Sequence, residues 1–364
     1  MEDTNIFKAE LSNEINVPKI KIEEVKALSK IDLLKKLSSG TELREGIENI
    51  VKGGMGAIIV ASSPKVMEIA KGGFKVNCKF NSKRLTELAK MDGAIILSED
   101  FRKILFANVY LVPDSNLTSI ETGIRHQVAE RTAKQINGLV IAASQRRREI
   151  TIYYGNSRYV LQHTESLLRR ATETLQILEK QRDAFNELII NFNVLEITNL
   201  VSVADICRIL QRIEIMKKMI NIINELIIEL GKEGIILRMR MREIVRGIEK
   251  EEDFLVKDYR IKLNRIRSFF DNLNFEEILD IDNIGLNLFK DSLDKEISPK
   301  GYRILNKTNL PKHDIELLIK NFNSLEGIFA SEIEDLERIL GVNAHNFKKE
   351  LNHLREQILV GKRV

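Results

Sequence analysis

The chain has 364 residues, 43% of them hydrophobic and 30% charged, and its 57 basic and 53 acidic side chains leave a net charge of only +4. That length and apolar content support two or three domains with a sizeable core, while so small a net charge excludes an argument for nucleic-acid binding from charge alone. Cys78 and Cys207 lie far apart without metal-ligand spacing, which excludes a disulfide framework or a zinc motif and makes a reducing cytoplasm the expected setting.

Met1 to Ile20 mixes charged and polar residues without the basic start and apolar centre of a signal peptide. Residues 1–22 read as an N-terminal extension. No uncharged apolar run of roughly 18 residues follows, so no membrane span is expected. From Gly40 to Tyr154 the pattern is mixed. Ala57-Ile58-Ile59-Val60, Ala94-Ile95-Ile96-Leu97, Leu139-Val140-Ile141-Ala142 and Ile150-Thr151-Ile152-Tyr153-Tyr154 are short branched runs bounded by glycine, serine or charge, the pattern of buried strands. Ser82 to Lys90 and Arg125 to Gln135 carry helical spacing between them. Residues 23–158 therefore read as an α/β domain with a mostly sheet core.

The five prolines are Pro18, Pro64, Pro113, Pro299 and Pro311. Since proline costs about 3 kcal/mol in a helix interior, no proline breaks a helix between 113 and 299. Leu168, Ala171, Leu175 and Leu178 form one apolar stripe, and Ile206, Leu210, Ile213, Met216, Ile220, Ile223 and Ile227 form another. Ser202 is placed to cap the second helix and Gly231 and Gly234 to stop it. These stripes predict core packing in an antiparallel bundle, a helical spine over 159–260. Phe269-Phe270 to Ile297 reads as a helical connector over 261–298. Beyond Pro299, helices are expected near Lys312 to Phe322, Ala330 to Leu340 and Asn346 to Leu359, each too short to stand alone, so 299–364 should be a compact helical domain.

Two segments carry chemistry. Asp92-Gly93-Ala94 and Arg125-His126 each stand at the edge of an apolar run, and a carboxylate beside a glycine with a guanidinium and an imidazole suits a site for a metal and polyanionic phosphates. Taken singly, an Asp-Gly pair is ordinarily a turn, Arg146 to Arg148 a solvated edge, and His126 a histidine at a helix start.

In combination these residues carry a resemblance. Leu88 to Ser98, then Ala107-Asn108, Leu111, Pro113-Asp114, Glu121-Thr122-Gly123 and Arg125-His126, resemble a diadenylate cyclase domain. The order of parts beyond about Gly40 resembles the bacterial DNA-integrity scanning family, DisA. Gly40-Thr41-Glu42-Leu43-Arg44, Glu229-Leu230-Gly231-Lys232-Glu233-Gly234 and Gly301-Tyr302-Arg303-Ile304-Leu305-Asn306-Lys307 match it as well.

The resemblance implies an α/β cyclase domain with a central mixed sheet flanked by helices, an all-α spine, and a C-terminal helix-hairpin-helix domain. It implies that two facing subunits, within a homo-octamer of stacked tetramers, condense two ATP into cyclic di-AMP and two pyrophosphates. Asp92 would bind Mg²⁺ or Mn²⁺ near the attacking 3′-hydroxyl. Gly93 would let the backbone approach the nucleotide, and the Leu111 main chain would meet adenine. Arg125, His126, Ser144 and Arg147 would organise the phosphates. Branched DNA at the C-terminal domains would inhibit the cyclase, with Lys300, Arg303, Lys307, Gly341, Asn343, Lys348 and Lys349 as the DNA-facing positions.

The chain departs from the family in two places. Where members commonly read Arg-His-Arg-Thr, it has Arg125-His126-Gln127-Val128, which replaces a guanidinium and a hydroxyl by an amide and an isopropyl group. A lost charge-assisted contact is worth about 1.5–3 kcal/mol, so lowered turnover is expected, and a nucleotide-binding scaffold that recognises branched DNA is the alternative reading. At Leu340-Gly341-Val342-Asn343-Ala344 only the first glycine of a Gly-x-Gly hairpin remains. Asn343 would have to take a left-handed conformation in place of the second. Residues 299–364 hold 11 basic and 9 acidic side chains, a weak electrostatic footprint for DNA.

Overall fold

The computed structural model describes residues 30–362. The N-terminal extension read over 1–22 lies outside them. The first domain opens with α1 (Lys30–Lys36) and α2 (Glu42–Lys52) and continues through β1 (Ala57–Ala61), α3 (Pro64–Ile69), β2 (Ala70–Lys71), β3 (Phe74–Lys79), α4 (Ser82–Leu88), β4 (Ala94–Leu97) and β5 (Lys103–Leu111). It closes with α5 (Ile124–Ile136), β6 (Leu139–Ala143), β7 (Ile150–Tyr154) and β8 (Ser157–Leu161).

The strands form one sheet in the order β2-β5-β4-β1-β6-β7-β8, with β3 also paired to β5. β1 and β4 run parallel and every other pairing is antiparallel, so the sheet is mixed. The central strands are near-continuous apolar runs because both faces are covered. Ile59, Ile95, Ile141 and Ile152 face a core shared with α1, α2 and α4, while Ile58, Val60, Ile96, Val140 and Tyr153 face one shared with α3 and α5. This is the two-residue alternation of a strand buried on both sides. The four predicted strands are present. β3, β5 and β8 went unread because β3 and β8 are half exposed and charged, Phe74-Lys75-Val76-Asn77-Cys78-Lys79 and Ser157-Arg158-Tyr159-Val160-Leu161, and β5 bulges at Asn108 (φ +53°).

The spine contains α6 (Thr164–Thr198), α7 (Val203–Leu230), α8 (Ile235–Ile244) and α9 (Ile248–Asp258), followed by α10 (Leu263–Asp271), α11 (Phe275–Ile278) and α12 (Ile281–Leu288). Ser202 caps α7 with the reciprocal Asp205 bond of a capping box, and Gly231 ends the helix at φ +53°. Leu175, Leu178, Phe185 and Phe192 on α6 pack against Ile206, Leu210, Ile213 and Ile223 on α7. Each such buried side chain contributes about 1.5–3 kcal/mol relative to exposure. The stripe drifts by a residue at two points: Leu167 and Met219 are buried where Leu168 and Ile220 are half-buried. The expected connector over 261–298 is corrected in kind. Ile266, Phe270, Ile278, Ile284 and Leu288 belong to the same core as α6 and α7, so the segment completes the bundle.

The last domain holds α13 (Tyr302–Leu305), α14 (Lys312–Phe322), α15 (Leu325–Ala330), α16 (Ile333–Leu340), a 3₁₀ turn over Gly341–Asn343, and α17 (Ala344–Leu359). The helix expected from Ala330 to Leu340 is α16, starting at Ile333, and α15 before it was not expected. Ser331 interrupts them in an extended conformation, its hydroxyl bonded to the Ile328 carbonyl. Asn343 is right-handed, at φ −81°, and Gly341 alone takes the left-handed position, at φ +59°.

The three motifs shared with the family outside the first sheet are joints. Gly40 (φ +84°) lies against the Lys232 side chain, and Gly231 has no room for a Cβ, which would sit 2.5 Å from the Ser39 carbonyl oxygen. The Ser39 amide donates to the Glu229 carbonyl, and the Glu229 carboxylate accepts from the Tyr159 hydroxyl and the Gln162 amide. Arg44 reaches the Gln162 carbonyl at 2.7 Å. These contacts fix the sheet domain to the spine. At the other end, Asp258 accepts the backbone amides of Gly301, Tyr302 and Arg303, capping α13 from the neighbouring domain.

Candidate functional site

One end of the sheet gathers the first residues of β1 and β4, the last of β5 and β6, and the N-terminus of α5. Together they enclose an open cavity of about 800 Å³. Its wall includes Asp92, Gly93, Leu111, Arg125, His126 and Ser144, drawn from four separate stretches of chain. Gly123 caps α5 without a side chain, so no side chain takes up the first-turn amides at the cavity. Such a helix end favours anions.

Two close approaches shape the site. Gly93 has φ +110°, and a Cβ there would sit 2.9 Å from the Asn108 carbonyl carbon, at the bulge where β5 crosses β4. Only glycine keeps the Asp92 turn against that strand. Gly56, just before β1, is the second. A Cβ on it would collide with the Arg125 guanidinium, its Cζ 2.5 Å away. The Arg125 guanidinium thereby packs against the backbone just before β1, a placement the sequence signals only through the cluster Gly53-Gly54-Met55-Gly56.

Behind the cavity lies a polar chain, buried at His126, Tyr153 and Glu121 and exposed at Arg158. Arg158 Nε donates to Glu121 Oε1 at 2.6 Å, the Tyr153 hydroxyl donates to the same oxygen at 2.8 Å, and His126 Nδ1 stands 2.9 Å from the Tyr153 oxygen. Burial raises the Glu121 carboxyl, but the bonds from Arg158 and Tyr153 outweigh it and hold the group below its ordinary value. Burial lowers the His126 imidazole, Glu121 pulls it back up, and the guanidiniums of Arg147, Arg158 and Arg125 push it down again. The net direction is down, so the ring is neutral near pH 7. None of Glu121, Tyr153 and Arg158 was singled out for this chemistry; Glu121 was visible only inside Glu121-Thr122-Gly123.

Arg147 lies beside the cavity. Its Nη2 is 3.4 Å from the Thr122 hydroxyl and its backbone amide donates to Ser144 Oγ at 3.2 Å; the wall arginines are Arg125 and Arg146, not Arg147. The two positions that depart from the family behave differently. Val128 lines the cavity. Gln127 points to the loop, its Nε2 donating to the Glu121 carbonyl at 2.8 Å, and works with Arg131 and Lys134 to fasten residues 117–121 onto α5.

Asp92 is the acidic side chain in the wall, and among the described residues no group of three or more His, Cys, Asp or Glu comes together to hold a metal. A single carboxylate would fit a hard divalent cation only if oxygens from outside the protein completed its shell.

The proposed DNA-facing residues separate. Gly341, Asn343 and Lys349 are exposed, and Lys300 and Lys307 are half-buried. Lys348 donates to the Phe329 and Ser331 carbonyls, an internal helix tie. Arg303 is removed from the set: its side chain is 1% exposed, bonded to Glu196, Glu251 and Asn193 and stacked on Phe192.

The family model for the DisA bacterial checkpoint controller nucleotide-binding region matches residues 44–158, and that for the DisA bacterial checkpoint controller linker region matches 161–291. The chain is 38% identical over 356 residues to the DNA integrity scanning protein DisA of Clostridium kluyveri, which covers 94% of this chain and 99% of that one. The chain belongs to the DisA family. The DisA relative of Acetivibrio thermocellus is 39% identical over 346 residues, covering 92% of this chain and 96% of its own length. Among solved structures, DacA from Staphylococcus aureus is 19% identical, with a TM-score of 0.29, over 39% of this chain and 95% of that one. The DisA nucleotide-binding region thus holds the sheet and the cavity, and the DisA linker holds the spine through α12. No helix among the described residues is long and apolar enough to cross a membrane.

Proposed function

We propose that the protein is a diadenylate cyclase that condenses two ATP into cyclic di-AMP and two pyrophosphates. The carrying observation is the convergence of Asp92, Gly93, Leu111, Arg125, His126 and Ser144 on one cavity at the N-terminus of α5. Its volume, about 800 Å³, falls within the ~300–1,000 Å³ of small-molecule sites. Arg125, the Ser144 hydroxyl and the α5 amides hold the triphosphate, the Leu111 backbone meets adenine, and the close backbone at Gly93 sets the ribose beside Asp92. Asp92 would hold a divalent ion, which would supply charge neutralisation for the phosphates. The residues contribute position and electrostatics, which is what phosphoryl transfer mainly needs.

One cavity holds one nucleotide, so the second must be brought by a facing copy. Tyr110, Val112, Ile120 and Ile124, near the cavity or on its flanking loop, are 65%, 50%, 82% and 81% exposed, an apolar surface suited to burial between copies. Assembly to an octamer, seen as a mass by sedimentation, is the expected state. The short helices of the last domain form helix-hairpin-helix units that contact branched DNA through the Gly341 turn, Asn343 and Lys349, and through Lys300 and Lys307. Titration with branched DNA across a salt series tests this: affinity should fall with salt, and absent or salt-independent binding removes the DNA role.

Val128 favours a second reading, a site that binds ATP but turns it over slowly, since an isopropyl group occupies a wall position where the family carries a hydroxyl. Chromatography of the products formed from ATP and Mn²⁺ decides between them. Bound ATP without cyclic di-AMP would leave the scaffold.

A further inference from the structure

A second cavity, of about 270 Å³, lies between α2, the end of β8 and the start of α6. Its wall begins on α2, where Arg44, Glu48 and Lys52 recur every four residues and so share one helix face. Lys52 is exposed, and Arg148 on the β6–β7 turn and His163 before α6 add an exposed guanidinium and imidazole. The 35-residue α6 begins in the same wall without a side-chain cap, so no side chain takes up its first amides, and the positive end of its dipole favours an anion there. Arg44 is 2% exposed and only partly paired. Its Nε donates to Glu48 Oε1 and its Nη2 to the Gln162 carbonyl, each at 2.7 Å, while Nη1 has no hydrogen-bond partner among the described residues. Buried polar groups are ordinarily satisfied, and a guanidinium has five N–H donors to place. Three cations, Arg44, Lys52 and Arg148, thus meet two acids, Glu48 and Glu165, and the helix end adds about half a positive charge.

We propose that this cavity binds a small phosphate anion, inorganic phosphate or pyrophosphate, at a site separate from the nucleotide cavity. Its volume is about a third of that cavity's and falls below the ~300–1,000 Å³ of sites for larger ligands, which suits one or two phosphate groups and excludes a whole nucleotide. Lys52, Arg148 and the first amides of α6 make the contacts. Arg44, whose free nitrogen is buried, acts through its charge and by holding the Gln162 carbonyl. The two cavities share a turn: Ser144, Gln145 and Arg146 line the first and Arg148 the second, with the backbone left-handed at Arg148, φ +55°. The Arg148 amide donates to the Ser144 carbonyl at 3.0 Å and the Ser144 amide to the Glu149 carbonyl at 2.9 Å. An anion that fixes Arg148 therefore steadies Ser144 and Arg146 in the nucleotide cavity, and it ties α2 to the first turn of the spine.

The test is thermal melting of the full-length protein in phosphate, pyrophosphate or chloride at equal ionic strength, in wild type, Lys52→Gln, Arg148→Asn and Arg125→Ala. Lys52 and Arg148 are exposed, and asparagine tolerates the left-handed backbone at position 148, so both variants keep the fold. The wild-type melting temperature should rise over chloride by about 2–4 °C once the anion is roughly 10- to 100-fold above its dissociation constant. A gain with either anion supports the site, and the larger of the two names its ligand. That gain should be largely lost in Lys52→Gln and in Arg148→Asn and should persist in Arg125→Ala, whose missing guanidinium belongs to the nucleotide cavity. No gain over chloride overturns the proposal. So does a gain that Arg125→Ala abolishes while Lys52→Gln and Arg148→Asn retain it, since the anion would then sit in the nucleotide cavity. Melting needs no turnover, so a protein that forms no cyclic di-AMP refutes the cyclase reading, an outcome distinct from either.

Discussion

Gly56→Ala separates the shape of the site from the stability of the fold. A Cβ at this position would lie 2.5 Å from Arg125 Cζ and 3.1 Å from Nη2, inside van der Waals contact. The group it strikes is the end of a long side chain, so the guanidinium swings away and the backbone stays. Gly56 does not occupy the left-handed region, and at such positions alanine stabilises by about 0.4–1 kcal/mol through the unfolded chain. The melting temperature should therefore hold or rise slightly. Arg125, in contrast, loses the placement from which it is proposed to bind the phosphates. A charge-assisted hydrogen bond contributes about 1.5–3 kcal/mol, which at about 1.36 kcal/mol per decade lowers kcat/KM roughly 10- to 150-fold. The assay is cyclic di-AMP formation over an ATP series, beside thermal melting, in a cycle with Arg125→Ala. If the glycine acts through the arginine, the double variant is no slower than Arg125→Ala alone. A folded Gly56→Ala with wild-type kcat/KM would show that Arg125 does not depend on the space at Gly56.

The two departures from the family should not respond alike. Val128→Thr places a hydroxyl in the cavity wall and should raise turnover, whereas Gln127→Arg breaks the bond to the Glu121 carbonyl and should leave turnover unchanged or lower; a larger gain from Gln127→Arg would contradict the placement. Arg303→Ala leaves Glu196 buried without its cation and should cost about 3–5 kcal/mol, read as a fall in melting temperature with increased proteolysis of the last domain. Asp258 is pushed up to about 7 by burial and by Glu196, against the pull of the amides it caps. Its folded value exceeds the ordinary 3.8, so the folded protein holds a proton the unfolded chain has lost, and stability from this group falls as pH rises between the two. Melting temperatures across that window should decline less steeply in Asp258→Asn than in wild type, and an equal or steeper decline would contradict the assignment.

What the sequence disclosed and what it hid follow physical lines. Strands buried on both faces and helices with long apolar stripes announce themselves by period, as Ile58 to Val60 and Ile206 to Ile227 do. A bulged strand such as β5 and the half-exposed β3 and β8 do not, because their pattern depends on a register set by neighbours. At the site, Asp92, Arg125 and Ser144 were picked out by the resemblance to a cyclase domain, and the structure brings them to one cavity. Gly56 and Tyr153 were not: one leaves space for a side chain 69 positions later in the chain, the other makes a hydrogen bond on the far side of an imidazole. Arg303 shows the opposite failure. Its charge and its place in a family motif suggested a DNA contact, yet the motif is a joint, and the guanidinium neutralises two spine carboxylates.

The most direct test of the account is product analysis after incubating the full-length protein with ATP and Mn²⁺, beside Asp92→Asn. The account predicts cyclic di-AMP and pyrophosphate from the wild type and neither from the variant, with ATP still bound by both. Wild-type protein that binds ATP and forms no cyclic di-AMP, or an Asp92→Asn variant with undiminished turnover, would contradict it.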